Sequence, residues 1–410
     1  RHEVLRTRFP DEQGIAVQVI DPEARVTVEQ FDIGCYDIER QSDEVRLRIQ
    51  QDQNTVFNLA EGPLFKCTVL QLTDNHHVLM LTIHHIIADG WSSQVMLKEL
   101  MAVYLAEQES RAVRLPHLSV QYADYAIWQR DYEQSEKYGA DLGYWQSQLQ
   151  GVDPLVLPVD YTRPSVQTFA GAHLQFSIPA LTMQGLKRLA NDSGATEFMV
   201  LMTVYHVLLS RLSGQQDFAV GVPTAGRSQA EIEPLIGAFI NSLAIRNALL
   251  PEMPFSSALE QVKKTVLSAF LHDKISFEKI VEAVSEGRDL THAPIYQTFF
   301  TLQNLANDSL VIEGLEIEPF EMVSTTAKFD LSLVTWFADD GCLECVFEYN
   351  TDLFSADSIA RFGQYFKHIL EQVVVDESLE IGRLTLLSES DRTTILHDWN
   401  QAHSHSSSNQ

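Results

Sequence analysis

Two adjacent histidines, His84 and His85, are followed within five residues by Asp89 and Gly90. An imidazole that titrates near neutrality can take a proton from an attacking nucleophile, an effect worth ~10²–10⁴ in rate. Such a ring needs a neighbour that fixes its tautomer and orientation. Spacing alone leaves two readings open. Either one ring faces a cavity and acts as an acid–base group, or both histidines are half-buried strand residues and Asp89 is only a helix cap. A metal site is not supported, because adjacent strand residues point to opposite faces and no HExxH word occurs. The same dipeptide at His76-His77 falls in a polar turn and reads as solvated surface.

The surrounding elements have to carry that chemistry. Apolar runs from Phe65 to Leu72 and from Val78 to Ile83 have strand character, and Thr73-Asp74-Asn75 between them is turn-like. The second run delivers the histidines to its end. Past Gly90 the period changes: Met96, Leu97, Leu100, Met101 and Tyr104 recur at helical spacing, with Asp89 or Ser92 as the cap. Helix-rich sequence follows from Tyr122 to Leu149. The proline-punctuated stretch from Leu157 to Pro164 then reads as a connector. Beyond it the pattern predicts helices at 181–190, 197–212, 256–270 and 356–375, and strands at 217–222, 297–302, 329–337 and 342–349. The tail from Gln401 to Gln410 is polar and of low complexity.

Composition narrows the class. The chain has 410 residues, 45% of them hydrophobic and 21% charged, which is globular material for more than one ordinary domain. Asp and Glu outnumber Lys and Arg by 56 to 29, for a net charge of −27. That charge argues against a nucleic-acid partner and against an anionic membrane surface. Four cysteines make no disulfide framework and suit a reducing, cytoplasmic setting. Cys342 and Cys345 lie in a strand-like run, where residues three apart face opposite ways, so they read as structural. No apolar run is long enough to span a bilayer. The opening, Arg1-His2-Glu3-Val4-Leu5-Arg6, has no initiator Met and starts mid-pattern, as expected of a piece of a longer polypeptide.

His84-His85-Ile86-Ile87-Ala88-Asp89-Gly90 resembles the HHxxxDG word of the chloramphenicol-acetyltransferase-like acyltransferases. Neighbouring words resemble one branch, the condensation domains of nonribosomal peptide synthetases. Arg1 to Phe9 is similar to RHExLRTxF, Tyr122 to Trp128 to YxDYAxW, and Ile236 to Arg246 to IGxFVNTxxxR. His272 to Glu278 and Arg288 to Pro294 are looser relatives of two further words. Six words in family order cover nearly the whole chain.

That resemblance implies an α/β fold of two acetyltransferase-like α+β sandwich lobes, forming a V-shaped pseudo-dimer with a central tunnel. The expected division is 1–165 for the first lobe and its connector, 166–386 for the second lobe, and 387–410 for a linker toward an adenylation domain. The first lobe is expected to be incomplete at its start, because relatives carry a further SxAQxRLW word upstream. The implied activity is amide-bond formation between a carrier-bound aminoacyl or peptidyl thioester and the α-amine of a carrier-bound acceptor. The words lean toward an L-configured donor and an L-acceptor. The residues implied are His85 acting on the amine, Gly90 offering its N–H to the oxyanion, and His84, Asp89 and Arg6 as structural support. Asp89 and Arg6 are expected to pair. Asn241, Ser92 and Trp91 are expected to line the substrate path; a turn amide satisfying backbone groups is the other reading of Asn241. Tyr122, Tyr125 and Trp128 read as packing, and Glu278, Arg288 and Asp289 as structural charges. No cofactor is bound directly, since phosphopantetheine arms arrive on donor and acceptor carrier proteins. An epimerisation-type domain, a free-standing thioester-dependent acyltransferase and a degenerate docking domain are the alternatives.

Overall fold

The computed structural model describes residues 1–410 except 24–25, 286–290, 304–313, 319, 321–324, 388–391, 394–395 and 397–410. Contacts divide the chain into two compact units. The first holds Arg1–Gly139 and Ala225–Asn241, with the described residues of 309–322. The second holds Ala140–Thr224 and Ser242–Asp308, with the described residues from 323 onward. These are not the expected spans of 1–165 and 166–386. Residues 140–165, which include the expected connector Leu157–Pro164, belong to the second unit, where the Leu155 N–H donates to Gln297 Oε1 at 2.6 Å and Arg163 pairs with Asp330. Most of the expected linker 387–410 lies outside the described residues.

The first unit opens with a short 3₁₀ turn (Glu3–Arg6) and two small antiparallel ladders. One pairs β1 (Thr7–Arg8) with β4 (Val19–Ile20), the other β2 (Asp11–Glu12) with β3 (Ile15–Ala16). Its main sheet has the order β5 (Val28–Asp32), β6 (Phe65–Thr73), β7 (His76–Ile83), with β5 parallel and β7 antiparallel to β6. Helix α1 (Ile38–Gln53) is capped by Asp37, whose carboxylate accepts the Arg40 N–H. It sets Val45 against Ile33, Leu70 and Met80 to make one small core. A second core joins Val4, Leu64, Ile87, Ala88, Met96 and Ile236, and so clamps the residues just after the histidine pair. Helices α2 (Gly90–Gln108) and α3 (Tyr122–Glu133) follow, α3 closed at its start by the Gln121 N–H on Asp124.

Helix α4 (Glu136–Leu149) leads into the second unit. A six-stranded mixed sheet runs there in the order β10 (Asn241–Ala248), β9 (Asp217–Thr224), β11 (Thr298–Gln303), β12 (Leu331–Phe337), β13 (Leu343–Asn350), β8 (Gly171–Ile178). β11 is parallel to both β9 and β12, whereas β13 is antiparallel to β12 and β8. Helices α5 (Ala180–Asp192), α6 (Glu197–Ser213), α7 (Phe255–Leu271), α8 (Phe277–Val284) and α9 (Ala356–Val373) complete the unit. Every residue of α6 from Met199 to Leu209 is buried, as its apolar all-round sequence requires. It ends at Gly214, left-handed at φ 76°. Helix α9 buries a stripe of Ile359, Phe362, Phe366, Ile369, Leu370 and Val373 at 3.6-residue spacing. Among the described residues no helix is long and apolar enough to cross a membrane.

Candidate active site

Strand β7 ends at Ile83, one residue short of the histidines, so the pair sits on a turn and not on the strand end expected from the pattern. The turn has a clear internal construction. The His84 N–H donates to Leu64 O at 2.9 Å, and the Ile87 N–H returns to His84 O at 3.1 Å. His84 folds its ring back on the same turn: Nδ1 accepts the Ile86 N–H at 3.0 Å, and Phe57 lies edge-on at 6.0 Å. Neutral His84 therefore carries its proton on Nε2. Ile87 and Ala88 are buried in the second core of the unit. His85, between these anchored residues, projects outward and is exposed.

Asp89 then caps α2 by accepting the Ser92 N–H at 2.8 Å. Gly90 is the first helical residue. A Cβ built on it would meet nothing within 4 Å, and its φ is not left-handed. A glycine there keeps open the approach to its own backbone N–H, one of the donors with no partner inside the helix.

Asp89 does more than cap. Its carboxylate forms a buried ion pair with Arg227 at 3.1 Å, and the two side chains are 3% and 2% exposed. Arg6, the expected partner, lies elsewhere: it bonds the Asp21 carbonyl and, at 3.1 Å, the Glu3 carboxylate in its own 3₁₀ turn. The correction has a simple cause. Arg6 is held locally by groups within fifteen residues, whereas Arg227 enters from a distant segment, Ala225–Asn241, that packs in this unit. Burial draws the Arg227 pKa down, and the Asp89 charge opposes that.

Ser92 is also corrected. It is fully buried and lines no path; its hydroxyl lies 2.7 Å from Asp89 Oδ1, 3.0 Å from Arg227 and 2.9 Å from Gly237 O, and it accepts the Gly237 N–H at 3.0 Å. Trp91 is 44% exposed and donates its indole N–H to Glu233 O at 2.9 Å.

The words that look separate in sequence converge on this node. The Phe239 N–H donates to Asp89 Oδ2 at 3.0 Å, and the Tyr122 hydroxyl to Ala238 O at 3.1 Å. The Ile236 N–H reaches His2 Nδ1 at 3.4 Å, while His2 Nε2 meets Glu99 at 2.9 Å. Arg227 adds bonds to Ile232 O and Leu235 O at 2.7 and 2.8 Å. Residues 232–239 form no strand, so side chains satisfy their backbone groups instead. The Phe239 ring also lies 4.1 Å under the Arg227 guanidinium and 4.8 to 5.1 Å from Tyr125 and Tyr122. Burial pushes the Tyr122 phenol up to about 12, so it stays a neutral donor. Tyr125 in turn stacks on Trp128 at 5.7 Å. These aromatics are packing around the ion pair.

Of the other expected residues, Asn241 opens β10 half-buried, and Arg246 is structural. It grips Asp217 through two 2.8 Å bonds and caps α4 through Gln148 O and Gln150 O. Glu278 is an exposed residue at the start of α8. Arg288 and Asp289 lie outside the described residues. Cys345 is buried in β13, where burial raises its thiol pKa, and Cys342 sits just before that strand. Arg227 escaped sequence reading because no expected word contains it. Its available signal was the Gly226-Arg227 pair just upstream of Ile236-Gly237-Ala238-Phe239.

The site is thus an exposed histidine on a locked turn, ahead of an open helix start, within a mixed α/β fold. The sequence model of the Condensation domain matches residues 1–396, and the chain belongs to that family. It is 39% identical over 404 residues to a component of the linear gramicidin synthase of Brevibacillus parabrevis, covering 98% of this chain and 5% of that protein. The chain thus spans a small part of such a relative. Among solved structures, the X-domain from teicoplanin biosynthesis superposes with a TM-score of 0.83 at 27% identity, over 94% of this chain and 87% of that one. Holo-AB3403, a four-domain nonribosomal peptide synthetase bound to AMP and glycine, gives 0.82 at 25% identity, over 95% and 30%.

Proposed function

We propose that the chain catalyses amide-bond formation between two carrier-bound substrates in nonribosomal peptide synthesis. The observation that carries this reading is the exposed His85 ring on a turn anchored by His84, Ile87 and the buried Asp89–Arg227 pair. Family membership and identity to a linear gramicidin synthase support the substrate class.

The acceptor α-amine attacks the carbonyl of the donor thioester; a C–N bond forms and the C–S bond breaks. His85 holds the amine and takes the proton it must lose, and the departing donor thiolate is protonated in its place. The Gly90 N–H faces the negative charge growing on the carbonyl oxygen, aided by the positive end of α2. Bringing two tethered substrates together supplies proximity as well. The phosphopantetheine arms belong to the carriers and come as part of the substrates. Asn241 is assigned a substrate contact, and the Ile236 to Arg246 word supports an L-donor and L-acceptor. The partners are donor and acceptor carrier proteins and an adenylation domain of the same polypeptide. The test is reconstitution with a loaded donor and a loaded acceptor carrier, read by mass and by chiral chromatography of the products released from the carriers. A dipeptidyl acceptor is expected; an acceptor with only an inverted α-carbon would favour epimerisation instead.

A further inference from the structure

We propose that Trp91 is a positioning residue for the histidine turn, acting through its indole N–H and not as a wall for substrate; the proposal rests on the amide-forming reading above. Trp91 donates to Glu233 O, and that carbonyl sits in the same turn as Ile232 O and Leu235 O. Those two neighbours accept both bonds of the Arg227 Nη1 group, while Nη2 holds Asp89. Asp89 closes the start of α2, and the Asp89 and His84 bonds together fix the span that carries His85 and Gly90. One indole bond thus stands at the far end of a chain of contacts that terminates at the reacting groups.

Two further observations point the same way. Arg227 Nε is buried with no acceptor, so the guanidinium is already one partner short. Losing the presentation of Ile232 O and Leu235 O would leave a buried cation with several orphan donors, a costly state. The Trp91 ring centroid also lies 5.9 Å from the guanidinium carbon, and Trp91 itself is 44% exposed. Helix α2 offers the bond to Glu233 O from the residue directly after Gly90, so the strap and the oxyanion donor share one helix start.

The experiment compares Trp91→Phe and Trp91→Ala in the full chain with loaded carriers, together with amide hydrogen exchange of peptides covering 232–239. Phe keeps an aromatic wall and loses only the N–H. The expected result is a fall in kcat of about fivefold to tenfold in both variants with KM unchanged, as for one lost hydrogen bond felt in the transition state. Exchange at 232–239 should speed up in both. Wild-type turnover and wild-type exchange in Trp91→Phe would overturn the proposal. So would a change confined to KM and substrate preference in Trp91→Ala, which is the behaviour of a wall. If the wild-type protein forms no amide, the proposed function fails by itself, and the exchange measurement still decides whether Trp91 pins the turn.

Discussion

Asp89 and Arg227 stand 138 positions apart in the chain and meet as a buried ion pair, 3.1 Å between carboxylate and guanidinium. A buried pair of this kind adds little net stability over an apolar pair of the same shape, but removing one member strands the other. What it supplies here is a defined arrangement of α2, the histidine turn and residues 232–239.

Arg227→Ala is therefore expected to cost ~3–5 kcal/mol in chemical denaturation, because the Asp89 carboxylate loses its cation and two carbonyls lose their donor. Arg6→Ala should cost no more than ~1 kcal/mol, since its Glu3 pair is 25% and 35% exposed and screened by solvent. Equal losses in the two variants would restore Arg6 as a partner in the node.

Gly226 makes a second prediction. Its φ is +65°, and a Cβ there would sit 2.0 Å from Phe239 O. A backbone carbonyl cannot swing away as a side chain can, and Phe239 donates to Asp89. Gly226→Ala should destabilise by more than ~2 kcal/mol, adding left-handed strain to the clash. Gly90→Ala meets open space and should leave the denaturation midpoint unchanged. A midpoint for Gly226→Ala equal to that of the wild type would show the segment Ala225–Asn241 to be loosely held.

His206 sets an acid limit on the second unit. It is wholly buried in α6, its ring nitrogens each 3.2 Å from a carbonyl, of Met202 and of Ile245, and burial lowers its pKa to about 4. An unfolded histidine binds its proton near pH 6.5, so between about pH 6.5 and 4 the unfolded chain holds the extra proton. Stability must fall as pH drops through that window, by as much as ~3 kcal/mol from this residue. His206→Gln should lower stability at pH 7 but flatten the slope between pH 7 and 4.5, measured as urea midpoints. An unchanged slope would assign the acid sensitivity elsewhere.

Much of the fold was legible because its signals are local. The runs at 65–72 and 78–83, the helix after Gly90, and the periodic stripe of α9 are set by residues within a few turns, and the observed elements match them closely. Strand β8 was missed: Gly171–Ile178 alternates weakly, and it forms an edge only because β13 lies beside it. At the site, the histidine word was expected at a strand end, and the structure places it on the turn just past β7. Ser92 and Arg6 were misplaced because burial and pairing are decided by chain segments that arrive from far away. Residues 225–241 show no regular period, so nothing in their pattern announces that side chains of His2, Asp89, Ser92 and Tyr122 will bond their backbone.

The most direct measurement is the single-turnover rate of amide formation by His85→Ala with both carriers loaded. Its circular dichroism and denaturation midpoint should match wild type, because the exposed ring carries none of the bonds that lock the turn. The expected result is a rate lower by about 10²–10⁴. Transfer at the wild-type rate by a folded His85→Ala protein would contradict the assignment of the chemistry to this turn.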